Sequence, residues 1–499
     1  MSQKPWNLNA PWSHARQFWT LTALLIYTIT AINSRGFYHF DEHFQILEFA
    51  NSKTTRFTSN LPWEYEAQLR PWIHPWMTFV QIQFLELLKI TSPFLQSTFL
   101  RIFSSFITLF CVWRFTRILP IWFKERAWQN FSCAVSYLTC FLPMLHARTS
   151  SENLSGSILL LSLAHAAEGK NPFFIGLWGS IAFEFRYQSI FIFAGIVLYY
   201  LFFKLKSPKE FLLLTLGSIL PILMGLIFDF WGYGQLSFPP WNYFRVNLLE
   251  GKAAQFGSEG PFYYFTILAQ SIPPIGFLFA TSVVAAMIFL RKHILTWSVL
   301  PFVLVHILIS HKELRFLFPV AHQALLLIIA FAYKFRNSNF SLNISEKMHS
   351  KHLKTAFYAA ILINFILLAV QSLKSRWPDL ATLEYIDEFV PKNSVIKFET
   401  GADPRYAGGL PMNFYVRSDL VFVDSESFDN FLDPINREYF YYKKTKGYLA
   451  SKTHKPDNCR VIFEYPNYSF LPETIFITDF FSYLDRNRFY QTILKCKIT

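Results

Sequence analysis

The sequence is poor in charged residues and contains few cysteines. Asp, Glu, Lys and Arg make up only 16% of its 499 residues, whereas 52% are hydrophobic. A water-soluble domain of average composition carries about 25% charged residues. This shortage of charge excludes a soluble globular enzyme, and the hydrophobic content excludes a disordered chain. The five cysteines are scattered, which excludes a disulfide-rich scaffold.

Aromatic residues and positive charge are abundant instead. Phe, Trp and Tyr account for 19% of the chain, and its formal net charge is +13 at pH 7. A basic chain binds nucleic acid or, when it is this apolar, carries basic loops on the cytoplasmic face of a membrane. The positions of Lys and Arg along the chain distinguish these two interpretations.

Long apolar runs predict an all-α polytopic membrane protein with about eleven transmembrane helices, because one span needs about 20 mostly apolar residues. The segment 75–90 is left out of this count. It contains Gln83, Glu86 and Lys89, and its apolar positions share one face, as in a helix that lies in the membrane interface. The predicted spans are 17–33, 97–115, 130–146, 153–167, 172–184, 188–203, 210–228, 263–290, 294–310, 315–333 and 355–373.

With 75–90 outside the membrane, the basic loops fall on the same side as the N-terminus. The positive-inside rule makes that side cytoplasmic. Membrane topology therefore explains the basic charge, and nucleic-acid binding loses its main support. The residues concerned are Arg114, Arg117, Lys124, Arg126, Lys170, Lys204, Lys206, Lys209, Arg291, Lys292, Lys334, Arg336, Lys347, Lys351 and Lys354.

The C-terminal part of the chain has a different composition. Turn residues and alternating apolar runs such as DLVFVD, CRVIFEY and ETIFITD predict strands there. We therefore expect a membrane domain over residues 1–373 and a small soluble α/β domain, outside the cytoplasm, over residues 374–499. Cys459 and Cys496 either form a disulfide in this domain or remain two thiols.

Carboxylates follow the first predicted span, on the face opposite the basic loops. Asp41 and Glu42 stand at the start of a helical pattern. Asp41 shares one face of that helix with Gln45 and Glu48. Adjacent side chains on a helix point different ways, so we expect one carboxylate to do chemistry and the other to orient or bind. The alternative is that Asp41 is simply the N-cap of the helix.

Two arginines lie in the other outer segments, close to the hydrocarbon core. Arg148 follows the third span, and Arg186 lies between two spans. A guanidinium there needs an anionic partner, and its planar fork suits phosphate. The alternatives are a salt bridge to a carboxylate, either Glu152 or Glu184, and snorkelling of the side chain to the membrane surface.

The turn SHKELRFLFPV holds the densest group of ionisable residues. Its cations stand at headgroup depth between two predicted spans, where their attraction to a phosphodiester is little screened. This indicates a site for a lipid-linked phosphate, and the alternative is a charged cap between two helices. The residues are His311, Lys312, Glu313 and Arg315.

The motifs DEHFQILEF, PWEYEAQLR, FRYQ, PPWNYFRVNLLEGKAAQFGSEGPFYYF and HKELRFLFPV together resemble glycosyltransferase family 22, the mannosyltransferases that use dolichyl-phosphate mannose. The spacing DExxQxLE followed by WExxxxLR is most similar to the members that add the third mannose of a GPI anchor. The chain departs from the family at RYQ, where Arg-Pro-Thr is usual, and at FGSEGP, which lacks the usual His and Trp. These departures leave the acceptor and the sugar open.

The resemblance implies a GT-C fold with interfacial helices in the first outer loop. It implies inverting transfer of a mannosyl residue from a polyprenyl phosphate donor to a lipid-linked glycan acceptor. The site would be luminal in the endoplasmic reticulum membrane, or periplasmic in the inner membrane for a bacterial member. We expect no cofactor, with a divalent metal left open, because the cations supply the charge that a metal would bring.

The resemblance also assigns roles by position. Asp41 corresponds to the catalytic Asp and is expected to act as the base, with Glu42 orienting the acceptor. From their charge rather than from the resemblance, the donor phosphate is expected at His311, Lys312 and Arg315, with Arg186 and Arg148 as weaker candidates. The acceptor or the sugar is expected at Gln45, Glu64, Arg70, Trp241 and Asn242. The alternatives are a lipid-linked sugar transporter and a transferase of the same fold that moves another sugar.

Overall fold

The computed structural model describes residues 12–54, 60–271, 275–336, 350–377, 379–398, 403–416, 419–424, 438–446, 459–465 and 489–497. The chain forms two compact units. The first comprises Met1–Ser34, Trp63–Phe84 and Thr98–Lys374, and the second comprises Arg35–Pro62, Leu85–Ser97 and Ser375–Thr499. The second unit thus combines the C-terminal region with two segments that the predicted division at 373/374 assigns to the membrane domain.

Helices build most of the described chain. The predicted interfacial segment 75–90 is helical up to Leu87, as part of the helix Ile73–Leu87. The helices of eight residues or more are Trp12–Asn33, Ile73–Leu87, Pro93–Thr116, Arg126–Leu138, Ser151–Glu168, Pro172–Phe185, Ile190–Phe203, Pro208–Tyr233, Tyr263–Ser271, Ile275–Phe289, Ile294–Leu308, Ala321–Phe335, Ser350–Leu373 and Asp379–Phe389.

The predicted count of about eleven spans is not confirmed. Among the described residues, four helices are long and apolar enough to cross a membrane, or five if Ile275–Phe289 and Ile294–Leu308, bent by 118° at their junction, form one span. The run 130–146 is interrupted, because its helix ends at Leu138 and a new turn begins at Leu142. The four helices are Pro93–Trp122, Pro208–Tyr233, Leu314–Phe335 and Lys354–Leu373.

The helix Ser151–Glu168, called here the central helix, is buried along nearly its whole length. It begins where the Ser150 side chain accepts a hydrogen bond from the Asn153 N–H, and it ends at Gly169 in the left-handed conformation (φ 63°). At Gly156 an added Cβ would lie 2.7 Å from the Cα of Pro319. Glycine therefore lets the turn Leu314–Val320 pack directly against the first turns of this helix.

The second unit contains a five-stranded sheet in the order β4-β1-β5-β7-β6. Strand β1 is parallel to β4 and β5, whereas β7 is antiparallel to β5 and β6. The strands are β1 (Val395–Phe398), β2 (Tyr406–Ala407), β3 (Leu410–Pro411), β4 (Val421–Asp424), β5 (Glu438–Lys446), β6 (Cys459–Tyr465) and β7 (Phe489–Lys497), of which β2 and β3 form a separate ribbon.

The strand predictions for DLVFVD and CRVIFEY are confirmed as β4 and β6, and ETIFITD lies outside the described residues. Cys459 and Cys496 face each other across β6 and β7 and form a disulfide. Of the two interpretations that the sequence left open, the structure shows the paired one.

Candidate active site

The carboxylate motif of the first loop lies in the second unit, on a helical segment interrupted by a π-helical turn. The segment runs Phe40–Glu42, then His43–Leu47 as the π-turn, then Glu48–Asn51. The cap is His39, whose Nδ1 accepts a hydrogen bond from the Asp41 N–H at 3.3 Å. Asp41 therefore lies within the first turn and is not the N-cap, so that alternative is wrong.

The two adjacent carboxylates have different surroundings. Asp41 is partly exposed, and its Oδ1 lies 3.4 Å from Nδ1 of His39. Glu42 is buried, and its Oε1 accepts a hydrogen bond from the Tyr38 N–H at 3.3 Å. Gln45 is also buried. The geometry gives the pair one accessible and one anchored carboxylate, while the expected division of their catalytic roles stays a prediction.

Glu48 does not share an accessible face with Asp41. It is 1% exposed, and its Oε1 lies 2.9 Å from Nε2 of His43. The same oxygen accepts a hydrogen bond from the Phe414 N–H at 2.9 Å. The His43 ring also stacks on Tyr415, at 5.4 Å between centroids. These contacts group the loop with the C-terminal region. Sequence patterns do not predict them, because the contacting residues are far apart in the chain.

In the first unit, Glu152 joins two of the predicted phosphate ligands. Its Oε1 lies 2.7 Å from Nη1 of Arg186 and 3.2 Å from Nη1 of Arg315. All three side chains are buried. Of the alternatives for Arg186, the structure shows the carboxylate partner, and that partner is Glu152. We call Glu152, Arg186, Glu313 and Arg315 the Arg–Glu cluster.

The two arginines of the cluster are held differently. Arg315 donates two hydrogen bonds to Glu313, from Nε to Oε2 at 2.7 Å and from Nη2 to Oε1 at 3.1 Å. The buried Nε–H of Arg186 has no hydrogen-bond partner among the described residues. Both guanidinium groups lie near the ring of Phe316, at 5.3 and 5.1 Å from its centroid. Arg186 thus presents an unsatisfied donor edge, which is costly when buried.

His311 and Lys312 lie on the same turn but have separate partners. His311 Nε2 is 3.0 Å from Oε1 of Glu313, so it extends the cluster. Lys312 is buried, and its ammonium donates to the carbonyl oxygens of Glu259, at 2.9 Å, and Ile309. It therefore closes the C-terminal end of the helix Ile294–Leu308 and ties down the divergent FGSEGP segment. Its phosphate role stays a prediction.

Arg148 has a different environment from Arg186. It is 1% exposed, and its Nη2 donates to the carbonyl oxygen of Ser34 at 2.5 Å. Its own carbonyl oxygen accepts hydrogen bonds from Ser104 Oγ and Asn153 Nδ2, each at 2.8 Å. This pattern is typical of an arginine that joins helices. Its predicted contact with phosphate stays a prediction.

Three of the predicted acceptor ligands gather in the first unit. Arg70 lies 3.6 Å from Oε1 of Glu64, and its guanidinium stands over the ring of Tyr243 at 5.6 Å. Asn242 donates to the carbonyl oxygen of Gln68 at 3.3 Å. Polar groups and an aromatic face thus meet here, as sugar recognition requires.

Trp241 differs from these three residues. It is 51% exposed and lies beside the ring of Phe244. An exposed Trp is typical of a membrane-interface anchor. Among the described residues, no three His, Cys, Asp or Glu side chains are grouped as metal ligands.

The first unit combines apolar helices of membrane-spanning length with a buried cluster of cations. These features define a polytopic membrane protein. The chain belongs to the Alg9-like mannosyltransferase family, whose profile matches residues 19–394. It is 25% identical over 305 residues to GPI mannosyltransferase 3 of Candida albicans, covering 60% of each chain. It is 23% identical over 289 residues to GPI mannosyltransferase 3 of Drosophila melanogaster, covering 56% of this chain and 50% of that one.

The matches therefore span 60% and 50% of these two relatives' own lengths. Among solved structures, the chain is similar to ArnT from Cupriavidus metallidurans bound to undecaprenyl phosphate. The identity is 12% and the TM-score 0.49, over 96% of this chain and 97% of that chain.

Proposed function

We propose that this protein is an inverting glycosyltransferase that moves a mannosyl residue from a polyprenyl phosphate to a lipid-linked glycan, such as a GPI-anchor precursor. Family membership and the relatives named GPI mannosyltransferase 3 support this proposal. The membrane-length helices support a lipid-linked donor and acceptor. The site faces the lumen of the endoplasmic reticulum in a eukaryotic source and the periplasm in a bacterial one.

The observation that carries the proposal is the unsatisfied Nε–H of Arg186. The Nε–H is buried and unpaired among the described residues, while Glu152 contacts the guanidinium through Nη1. The Nε–H lies on the bidentate edge of the guanidinium, which matches two oxygens of a phosphate. Arg186 is therefore the foremost ligand for the donor phosphate, with the guanidinium of Arg315 and the imidazole of His311 beside it.

These cations assist the departure of the phosphate. In the reaction an acceptor hydroxyl oxygen attacks C1 of the sugar, and the C1–O bond to the phosphate breaks with its electron pair. The phosphate charge grows from one to two negative charges as the bond breaks. Fixed cations that interact more strongly with the growing charge lower the barrier, and a low-dielectric site strengthens this effect.

The base is assigned to Asp41, which takes the hydroxyl proton as the acceptor attacks. Its partial exposure beside His39 supports access to a substrate. Asp41→Asn keeps the shape of the side chain and removes the base. We expect loss of transfer in a detergent-solubilised assay with polyprenyl-phosphate mannose and a lipid-linked acceptor. Transfer at the rate of the unchanged protein would contradict the assignment, and a panel of donor sugars tests whether mannose is the substrate.

A lipid-sugar transporter is the second candidate, and one observation favours it. Glu184 and Asp229 are buried within the helices Pro172–Phe185 and Pro208–Tyr233, where ionisable residues often mark a transport path. Asp229 has a structural partner, because its Oδ1 accepts a hydrogen bond from the Trp72 N–H at 2.8 Å. The detergent assay separates the two functions, since a transporter forms no glycoside there.

A further inference from the structure

The bridging carboxylate of the Arg–Glu cluster has a role of its own. We propose that Glu152 is a positioning residue, which holds Arg186 so that its Nε edge faces the donor phosphate. This inference rests on the proposed function and deepens it. Glu152 does not itself bind the donor, because a carboxylate repels a phosphate.

The contacts of Glu152 fix the positions of two guanidinium groups. One oxygen, Oε1, contacts Nη1 of both Arg186 and Arg315, and all three side chains are buried. Two guanidinium groups this close repel each other strongly where little water screens them. A shared carboxylate oxygen balances that repulsion and fixes the angle of each group. Since Nη1 of Arg186 is fixed in this way, the Nε–H stays on the other edge of the guanidinium.

The backbone holds Glu152 in place as well. It stands in the first turn of the central helix, where the helix dipole favours a negative charge. The Ser150 cap fixes that turn, and the close contact between Gly156 and Pro319 brings the turn that carries Arg315 against the same helix. Glu152 therefore belongs to a rigid element, as a group that orients a binding residue requires.

Charge and position predict opposite outcomes when the carboxylate is removed. Glu152→Gln makes the cluster more positive, so charge alone predicts tighter binding of the donor. Positioning predicts weaker binding, because Arg186 loses the group that turns its edge toward the phosphate. The sign of the change in donor KM therefore distinguishes the two effects.

A matched control lies on the same helix. Glu168 pairs with Arg114 through two hydrogen bonds of 2.9 Å at the opposite end. We expect E152Q to raise the donor KM by on the order of 10-fold, with the acceptor KM unchanged, by analogy with groups that orient metal ligands. We expect E168Q to leave both KM values unchanged. A purely structural role would lower the active fraction, and hence the apparent kcat, without changing either KM.

Two further measurements keep the inference testable. E152D keeps the charge but shortens the side chain, so we expect a smaller rise in donor KM, and this variant decides the question if E152Q does not fold. Thermal stabilisation of the purified protein by polyprenyl phosphate alone reports binding without transfer. A donor KM that is unchanged or lower in folded E152Q overturns the inference. If the unchanged protein transfers no sugar, the proposed function fails, while the stabilisation measurement still tests Glu152.

Discussion

The two ends of the central helix carry the same kinds of side chain in different arrangements. At the Glu168 end, one carboxylate meets one arginine, and both oxygens accept a hydrogen bond from Arg114. At the Glu152 end, one oxygen serves two arginines, and the Nε–H of Arg186 has no partner among the described residues. The first pair is complete in itself, whereas the second leaves donor capacity for another anion.

The surroundings sharpen this difference. The side chains of Arg114 and Glu168 are 18% and 14% exposed, so water screens their charges. Those of Arg186 and Glu152 are each 5% exposed, where a donor without a hydrogen-bond partner is costly. A protein keeps such a group when a ligand completes it. We therefore assign a structural role to the Glu168 end of the helix and donor binding to the Glu152 end.

Removal of the arginines should give the largest contrast. We expect Arg186→Ala to lower kcat/KM for the donor by on the order of 10²–10³-fold, the usual effect of losing one donor to a developing negative charge. Arg114→Ala should lower the melting temperature but leave kcat/KM unchanged. Steady-state kinetics and thermal unfolding of both purified variants check this. Equal loss of activity in the two variants would remove the distinction between the ends.

The glycines near the two ends provide a second matched pair. An added Cβ at Gly156 would lie 2.7 Å from the Cα of Pro319 and push away the turn that carries Arg315. We expect Gly156→Ala to cost about 1–3 kcal/mol of stability from overpacking, and also to raise the donor KM. At Gly169 an added Cβ would make only an ordinary contact, 3.6 Å from Cδ of Lys204, but φ is 63°, so Gly169→Ala should cost about 1–2 kcal/mol through backbone strain.

Because the two changes are chemically identical and similarly destabilising, only their effect on the donor differs. Donor titrations at a temperature where both variants are folded measure that difference. A raised donor KM in Gly169→Ala would show that general destabilisation, rather than displacement of the turn, affects the site.

The sequence predicts the helical membrane class and the candidate cations because these depend on local composition. Apolar runs identify most helices, and HKELRF contributes Arg315 directly. It does not predict which helices are long enough to span, because the break between Leu138 and Leu142 lies inside one apolar run. Hydropathy averages over such a break, whereas backbone geometry does not.

The contacts within the site are harder to predict from the sequence than the helices are. Arg186, which the sequence ranked with Arg148, pairs with the Glu152 carboxylate, whereas Arg148 donates to the Ser34 carbonyl oxygen. That distinction depends on partners far apart in the chain, such as Glu152 and Arg315. The pair His43 and Glu48 was missed for a related reason, since Phe414 completes it from the C-terminal region. Spacing along one segment shows which residues share a face, not which partner arrives from elsewhere.

The outermost partners at each end should show the smallest contrast. His311 contacts Glu313, which holds Arg315, so His311→Gln should weaken the donor interaction by about 1 kcal/mol, or roughly fivefold in kcat/KM. Lys170 lies 3.9 Å from Glu168 and its side chain is 75% exposed, so Lys170→Ala should change neither activity nor melting temperature measurably. A loss of much more than tenfold in His311→Gln would mean that His311 contacts the donor itself. Any change of donor KM in Lys170→Ala would contradict the division between the two ends, because Lys170 follows the end of the central helix opposite the Arg–Glu cluster.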